Sequence, residues 1–306
     1  MKGLELAKYY YETTGRVMLE RIYPELMPRM AIGLAGEGSE CFGFDDEFSR
    51  DHDWGPSFCI WLEEDDYKKY GKGVQAVYNG LPREIAGFTG RQSNEMSDGR
   101  VGVLCTTDWY RRYVGYPEGP VTLEQWRRVP EAFLATAVNG EVFHDPLGHF
   151  SGIRQRLIDY YPEDVRIKKI AARAATMAQA GQYNYARCIR RKDHVAAQLA
   201  KAEFTKATLS MVYLLNRKYA PFYKWMHFGA KQLPILPRVA VQLEMLSRED
   251  GTDAAERIEG ICMNISAELR RQDLIEKNAA FLLELCPDLM QHIRDPYLRK
   301  THFMQE

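Results

Sequence analysis

The chain has 306 residues, of which 45% are apolar and 27% are charged, with a formal net charge of −1. The composition excludes an intrinsically disordered chain, and the length predicts two domains because one hydrophobic core seldom supports so many residues. The near-zero charge provides no overall basic field for sequence-independent binding of nucleic acid. The six cysteines are scattered without a Cys-x-x-Cys pair, which predicts reduced thiols in a cytoplasmic protein. No apolar run reaches the roughly 18 residues that a membrane-spanning helix needs.

The first half of the chain predicts a small mixed sheet with helices. Apolar residues recur at helical spacing over residues 1 to about 30, and Pro24 and Pro28 end that helix because proline lacks an amide donor. Four strand-length apolar runs follow, at 31–35, 58–62, 84–88 and 101–105. The polar stretch 63–78 suits a surface helix that lies across one face of the sheet.

The second half predicts a helical bundle. After about Thr122, apolar residues recur at steps of three and four, with breaks expected near Gly181, Pro221 and Gly251. Residues 141–144 predict one further strand at the edge of the sheet. The fold class is therefore α+β, with a small mixed-sheet domain over 1–150 followed by an α-helical bundle domain over 151–306.

The segment with the clearest chemical signal runs from Gly36 to Gly55. Gly38-Ser39 follows a short strand, and such a turn can approach phosphate oxygens closely with its amides and hydroxyl. Asp51 and Asp53 are separated by one residue, so both carboxylates would project from one face of an extended backbone. Two adjacent carboxylates are what Mg²⁺ needs when it bridges a nucleoside triphosphate. Without the Gly-Ser turn before it, an Asp-x-Asp pair is as often part of a solvated loop as of a metal site.

This pattern resembles the nucleotidyltransferase superfamily, which includes DNA polymerase beta and the aminoglycoside nucleotidyltransferases. The fuller run GEGSECFGFDDEFSRDHDWG, with the later FHD and YAPFYKW segments, looks like a bacterial branch of that superfamily described as a domain of unknown function. The resemblance implies that Gly38 and Ser39 bind the triphosphate of ATP or another nucleoside triphosphate. It implies that Asp51 and Asp53 hold Mg²⁺, two ions in the usual arrangement.

The resemblance also implies a third carboxylate, which is harder to place. The position where some members of the superfamily carry it corresponds to Gly102 in the run 101–105. Glu84 is the best substitute as the catalytic acid, because it opens a predicted strand after the surface helix. Asp108 and Asp145 rank behind it, since their contexts predict the first turn of a helix and a turn.

Other charged residues carry weaker signals. The acid run Asp45-Asp46-Glu47 is interpreted as the charged first turn of a helix. The spacing of Arg187, Arg190 and Arg191 predicts that they share one basic face of a helix. That face either binds phosphate or is solvated. Lys224 stands among aromatic residues at a predicted helix start. The resemblance implies that a lysine there contacts the triphosphate.

These observations predict a Mg²⁺-dependent nucleotidyltransferase with its active site in a cleft between the two domains. The acceptor hydroxyl belongs to a small molecule or a protein side chain, with RNA less favoured and no membrane partner. The alternative is a catalytically inactive nucleotide-binding regulatory protein, which the missing acid at Gly102 favours. A third reading is an interaction protein that binds neither nucleotide nor metal.

Overall fold

The computed structural model describes residues 1–50, 54–91 and 99–306. The fold is α+β, as predicted, with a small mixed sheet and a helical region after it. The chain divides into two units. The first comprises Met1–Pro120 and Phe133–Asp159, and the second comprises Val121–Ala132 and Tyr160–Glu306.

The helices and strands have the following bounds in chain order. Up to residue 120 they are α1 (Gly3–Tyr10), α2 (Arg16–Ile22), β1 (Ala31–Leu34), β2 (Cys59–Leu62), α3 (Glu64–Asn79), β3 (Glu84–Ile85), β4 (Phe88–Thr89), β5 (Gly102–Cys105) and α4 (Thr106–Val114). From 121 to 159 they are α5 (Leu123–Arg128), α6 (Glu131–Val138), β6 (Glu141–His144) and α7 (His149–Ile158). Beyond 159 they are α8 (Glu163–Met177), α9 (Ala186–Arg190), α10 (His194–Leu215), α11 (Tyr223–Ala230), α12 (Pro237–Leu246), α13 (Gly251–Arg271), α14 (Cys286–Gln291) and α15 (Pro296–Lys300).

The main sheet of the first unit has the strand order β5-β2-β1-β6. β1 runs antiparallel to both β2 and β6, whereas β2 and β5 are parallel. β6 is thus the predicted edge strand, and α3 has nearly the predicted bounds. Tyr10 of α1, Ile60 of β2 and Phe58, which precedes β2, belong to one buried cluster with Val74 of α3. Burial of these side chains holds the helices on the sheet.

The prediction of a single strand over 84–88 is wrong. Ala86 and Gly87 both have positive φ, 51° and 79°, which is the backbone of a tight hairpin turn. The run therefore folds back on itself, and β3 pairs with β4 in a separate two-stranded sheet. Apolar content alone could not show this reversal, because alanine seldom adopts positive φ.

The helical unit centres on α8 and α10, two largely buried helices that pack against each other. The break predicted near Gly181 is instead a π-helical segment, Ala178–Tyr185, that connects α8 to α9 without a turn. Glycine is needed there for packing, since a Cβ at Gly181 would lie 2.3 Å from the ring of Phe204. Among the described residues, every helix is too short or too polar to cross a lipid bilayer.

Candidate functional site

The antiparallel pairing of β1 and β2 brings two chain segments to one edge of the sheet. Gly33 lies opposite Cys59 in this pair, so the chain leaving β1 and the chain entering β2 run side by side. Residues 35–39 leave β1, and residues 54–58 enter β2. The Gly38-Ser39 turn therefore lies at the same edge as the described residues that follow Asp53 in the sequence.

The turn is built from a glycine in an unusual conformation and a short 3₁₀ helix. Gly36 has a φ of 135°, a region that side-chain-bearing residues rarely adopt. Ser39 precedes the 3₁₀ turn Glu40–Phe42, and its carbonyl accepts a 3.0 Å hydrogen bond from the amide of Phe44. Gly38 and Ser39 are half-buried, so both remain partly accessible to a ligand.

Glu40 is a buried carboxylate that supports this turn. Its Oε1 lies 3.2 Å from Arg91 Nη1, and the two side chains are 6% and 7% exposed. A Cβ at Gly38 would lie 2.2 Å from Glu40 Oε1, so only glycine fits while Glu40 keeps its place. Burial raises the pKa of Glu40, and the Arg91 guanidinium opposes part of that rise.

Trp54, just before β2, binds a second buried carboxylate, that of Asp45. Its indole Nε1 donates to Asp45 Oδ2 at 3.2 Å, and that oxygen also accepts the amide of Gly3 at 2.8 Å. A Cβ at Gly3 would lie 2.5 Å from Glu40 Cβ and 2.7 Å from Trp54 Nε1. The beginning of α1 therefore lies against Glu40, which follows the Gly-Ser turn, and against Trp54, which follows Asp53 in the sequence.

The interpretation of Asp45, Asp46 and Glu47 as a charged helical turn is wrong for Asp45. Its side chain is only 2% exposed, because it satisfies the Gly3 amide, one of the amides at a helix start that have no partner within the helix. Asp46 does begin a short helical turn, since its carboxylate accepts the Ser49 amide at 3.0 Å.

Two arginines gather around Glu37, next to the turn. Arg100 Nη2 lies 3.0 Å from Glu37 Oε2, and Arg112 Nη2 lies 3.1 Å from Oε1. The hydroxyl of Tyr113 lies 3.4 Å from the same Oε1. Because a phosphate presents paired oxygen atoms as a carboxylate does, these guanidinium groups suit a phosphate beside the turn.

A second layer holds the turn from the segment before β6. The side chain of Asn139 accepts the amide of Gly36 at 2.9 Å and donates to its carbonyl at 2.6 Å. Arg154 Nη2 donates to the carbonyls of Val138, Asn139 and Gly140, at 2.8, 3.0 and 3.0 Å. The Gly140 amide in turn donates to the Cys41 carbonyl at 2.7 Å. Nothing in the spacing of the sequence indicated this support.

Asp51 and Asp53, the predicted magnesium ligands, lie outside the described residues. Within the described ranges, no three His, Cys, Asp or Glu side chains are arranged to hold a metal ion. Of the buried acids at this edge, Glu40 pairs with Arg91, and Asp45 accepts the Gly3 amide through Oδ2. The magnesium site at Asp51 and Asp53 stays a prediction.

The positional argument for Glu84 as the third carboxylate is wrong, because β3 belongs to the separate hairpin and not to the main sheet. Glu84 is exposed and lines an open cavity of about 820 Å³ together with Arg91. Asp108 lies in the first turn of α4 and pairs with Arg111. Asp145 accepts the amides of residues 148 and 151 at the start of α7, at 3.0 and 2.8 Å. The identity of a third acid stays a prediction.

Gly102 has a physical reason to be glycine. Its φ is 91°, and a Cβ there would lie 2.7 Å from Gln75 Oε1. That oxygen is fixed, since it accepts the Val103 amide at 2.8 Å. An acid at this position would require both a strained backbone and displacement of Gln75, so the local structure disfavours it.

In the second unit, the predicted basic face is shorter than expected. α9 ends at Arg190, and Arg191 is its C-terminal cap. Arg187 stacks on Tyr183, with its guanidinium carbon 4.6 Å from the ring centroid, and donates to the Tyr183 hydroxyl. Asp193 caps α10 by accepting the amide of residue 196 at 3.0 Å.

Lys224 lies in the first turn of α11, the predicted helix start. It is exposed, and its Nζ lies 5.4 Å from the centroid of the Trp225 ring. Its accessible ammonium leaves a phosphate contact open as a prediction, and the same is true of Arg187.

Comparison with known proteins shows a family-level similarity over part of the chain. A family model described as a domain of unknown function, DUF4037, matches residues 126–226. No curated protein and no solved structure gives a significant match to the chain. The matched range runs from α5 to α11 and includes Asn139 and Arg154. The resemblance to nucleotidyltransferases stays a prediction.

Proposed function

We propose that the chain is a Mg²⁺-dependent nucleotidyltransferase that transfers a nucleoside monophosphate from a nucleoside triphosphate to an acceptor hydroxyl. The observation that carries the proposal is the antiparallel β1–β2 pair, with Gly33 opposite Cys59. It puts the Gly38-Ser39 turn at the same edge as Trp54, the residue joined to Asp53. The Gly-Ser turn and Trp54, the residue that follows the Asp-x-Asp pair in the sequence, thus lie at one edge of the sheet.

The surroundings of the turn favour a phosphate ligand. Arg100 and Arg112 converge on the Glu37 carboxylate at 3.0 and 3.1 Å, and a phosphate could take its place there. The Gly38-Ser39 turn would hold the triphosphate through its amides and hydroxyl.

The metal would be held by Asp51 and Asp53, whose hard oxygen donors fit Mg²⁺. When bound, Mg²⁺ would neutralise triphosphate charge and stabilise the pyrophosphate that leaves. The acceptor loses its proton to a base that the described residues do not identify. A small molecule or a protein side chain suits the balanced net charge better than RNA.

The alternative, a catalytically inactive nucleotide-binding regulator, is favoured by one observation. Gly102 cannot be replaced by an acid without strain, because its φ is 91° and Gln75 occupies the space of a Cβ. In that case the turn would bind nucleotide and no transfer would follow.

The first experiment measures thermal unfolding with each nucleoside triphosphate, with and without Mg²⁺, because a ligand that binds only the folded chain raises the unfolding temperature. The test variant is Asp51→Asn with Asp53→Asn, and the control is Asp65→Asn on the exposed side of α3. The proposal predicts a magnesium-dependent stabilisation that the test variant loses and the control keeps. Equal stabilisation of all three proteins would refute the metal site.

The second experiment measures pyrophosphate release and separates the two candidates. Release with a candidate acceptor supports transfer, whereas tight magnesium–nucleotide binding without release across small-molecule and protein acceptors supports the regulator. Lys224→Ala tests the predicted triphosphate contact. It should weaken triphosphate binding more than monophosphate binding, and equal losses would show that Lys224 does not contact the additional phosphates.

A further inference from the structure

The second unit contains a cationic pocket that the proposed nucleotidyl transfer does not use. A cavity of about 640 Å³ is lined by residues of α5, α8 and α10 and by the start of α11. Its wall includes Lys169 and Arg173 of α8, whose side chains are 5% and 19% exposed. Two cations withdrawn this far from water are costly unless anions face them.

One of the anions that face them is the side-chain carboxylate of Glu306. Its Oε1 accepts a hydrogen bond from Arg173 Nη1, while Oε2 lies 3.9 Å from Lys169 Nζ. Oε2 is buried and finds no hydrogen-bond donor among the described residues. Lys169 otherwise contacts the Arg127 carbonyl at 3.4 Å and the face of Tyr161, 5.6 Å from its centroid. A carboxylate therefore fills this site incompletely.

Arg173 is held so that one edge of its guanidinium faces the cavity. Its Nε donates to Ser210 Oγ at 2.7 Å, and its Nη2 lies 3.5 Å from Glu131 Oε1. Glu131 in turn accepts the Ser210 hydroxyl, at 2.8 and 3.0 Å. This arrangement fixes Nη1 toward the cavity whether or not Glu306 is present.

The segment that carries Glu306 is anchored independently of that carboxylate. Lys168 is fully buried, and its Nζ donates to the carbonyls of Leu298, Thr301 and His302 at 3.2, 2.9 and 2.8 Å. Arg127 Nη1 donates to the carbonyl of residue 305 at 3.2 Å. The Glu306 side chain can therefore rotate out of the pocket while the segment stays in place.

We infer that this pocket is a binding site for a phosphate-class anion and that the Glu306 carboxylate is its displaceable internal occupant. The wall of the pocket carries five cations: Arg127, Arg128, Lys169, Arg173 and Lys206. With Glu306 withdrawn, three acids remain to balance them. Two of these, Glu131 and Glu203, line the pocket, and the third, Glu124, pairs with Arg127 and Arg128. The excess of two positive charges matches a phosphate dianion, whereas a carboxylate neutralises one of them.

The test is calorimetric titration of inorganic phosphate into the full chain without Mg²⁺, with acetate as the carboxylate probe. Glu306→Gln removes the internal competitor, so phosphate should bind this variant at least about tenfold more tightly than wild type. Adding Lys169→Met to Glu306→Gln should abolish the gain. The matched control adds Lys277→Met instead, which removes a surface lysine paired with Glu284 at 3.6 Å and should leave the gain intact.

Several results would overturn the inference. Equal phosphate affinity in wild type and Glu306→Gln would show that the carboxylate does not compete. A gain insensitive to Lys169 would assign the phosphate to another site, and acetate binding as tight as phosphate would refute the anion class. If Lys169→Met fails to fold, Arg173→Lys in the Glu306→Gln chain replaces it and should weaken phosphate binding, because lysine lacks the guanidinium fork. Undiminished binding by that variant would count against the site.

The inference does not rest on the proposed nucleotidyl transfer. Asp51→Asn with Asp53→Asn should leave the phosphate titration of Glu306→Gln unchanged. The two proposals can therefore fail separately.

Discussion

Asn139 and Gly36 satisfy each other's hydrogen-bonding groups across 103 positions of the sequence. The side-chain oxygen of Asn139 accepts the Gly36 amide, and its amide nitrogen donates to the Gly36 carbonyl. Both backbone groups are buried, so each would be costly without a partner. The residue that starts the Gly-Ser turn is thus fixed by a side chain that follows α6.

This relationship predicts the effect of Asn139→Asp. The variant keeps the size of the side chain but loses the donor and places a carboxylate oxygen against the Gly36 carbonyl. We expect the free energy of unfolding to fall by about 1–3 kcal/mol, measured by urea denaturation. The exposed Asn184→Asp is the control and should change it by no more than about 0.5 kcal/mol. An Asn139 variant as stable as the control would contradict this role.

Gly38→Ala should destabilise the chain through Glu40. The added methyl would overlap the Glu40 carboxylate, 2.2 Å from Oε1, and would push it away from Arg91. We expect a loss of about 1–3 kcal/mol in urea denaturation, typical of an overpacked site. Gly152→Ala in α7 is the control, because no atom lies within 4 Å of its added methyl. That change should be neutral or stabilising by up to about 1 kcal/mol.

Restoring an acid with Gly102→Asp should cost stability and should not create activity. The cost comes from the positive φ of 91° and from overlap with Gln75, together more than about 1–2 kcal/mol. Gly102→Ala and Gly43→Ala separate the two causes, because Gly43 has a φ of 70° with nothing within 4 Å. The alanine at 102 should be the more harmful in urea denaturation. Increased pyrophosphate release by Gly102→Asp would contradict this prediction.

His149 should make the stability of the first unit depend on pH. Its Nδ1 lies 2.8 Å from Glu63 and its Nε2 lies 3.1 Å from Glu118. Burial lowers the pKa of His149, but hydrogen bonds and charge from the two glutamates outweigh that effect, so the pKa lies above its ordinary value of 6.5. The protonated form is therefore favoured by folding. Its stabilisation is complete below pH 6.5 and is lost as the pH rises through the folded-state pKa.

His149→Gln should accordingly lower the free energy of unfolding at about pH 5.5 by up to about 1 kcal/mol, because the side chain is partly exposed. At about pH 9 the variant and wild type should be nearly equal. The exposed His292→Gln serves as the control in the same pH series of urea denaturation curves. A His149 variant that is equally destabilised at both pH values would mean that packing, and not charge, explains its effect.

Local patterns were sufficient for much of the fold. A few neighbouring residues are enough to predict the helix end before Pro24, the helix α3 and the strand β6. The prediction for the run 84–88 was wrong because its residue types do not show its backbone conformation. The hairpin there depends on a positive φ at Ala86, a conformation that an alanine in the sequence does not indicate.

The candidate site was only partly predictable. The Gly38-Ser39 turn could be predicted because a glycine followed by a serine directly after a strand is typical of a turn. Its supports come from distant positions, Asn139 and Arg91, and no spacing rule connects them to the turn. Glu40 was overlooked because an acid beside a glycine-rich turn is usually solvated, whereas here Arg91 makes its burial tolerable.

The buried ammonium of Lys168 also bears on the order in which the helical unit packs during synthesis. α8 leaves the ribosome 130 residues before Leu298, the first carbonyl that Lys168 binds. Until Leu298 has been synthesised, packing the core around α8 would bury the Lys168 ammonium without this hydrogen-bond partner, which is costly. We therefore expect this helix to stay incompletely packed while most of the helical unit is translated. Its apolar face is then expected to be accessible to chaperones during that interval.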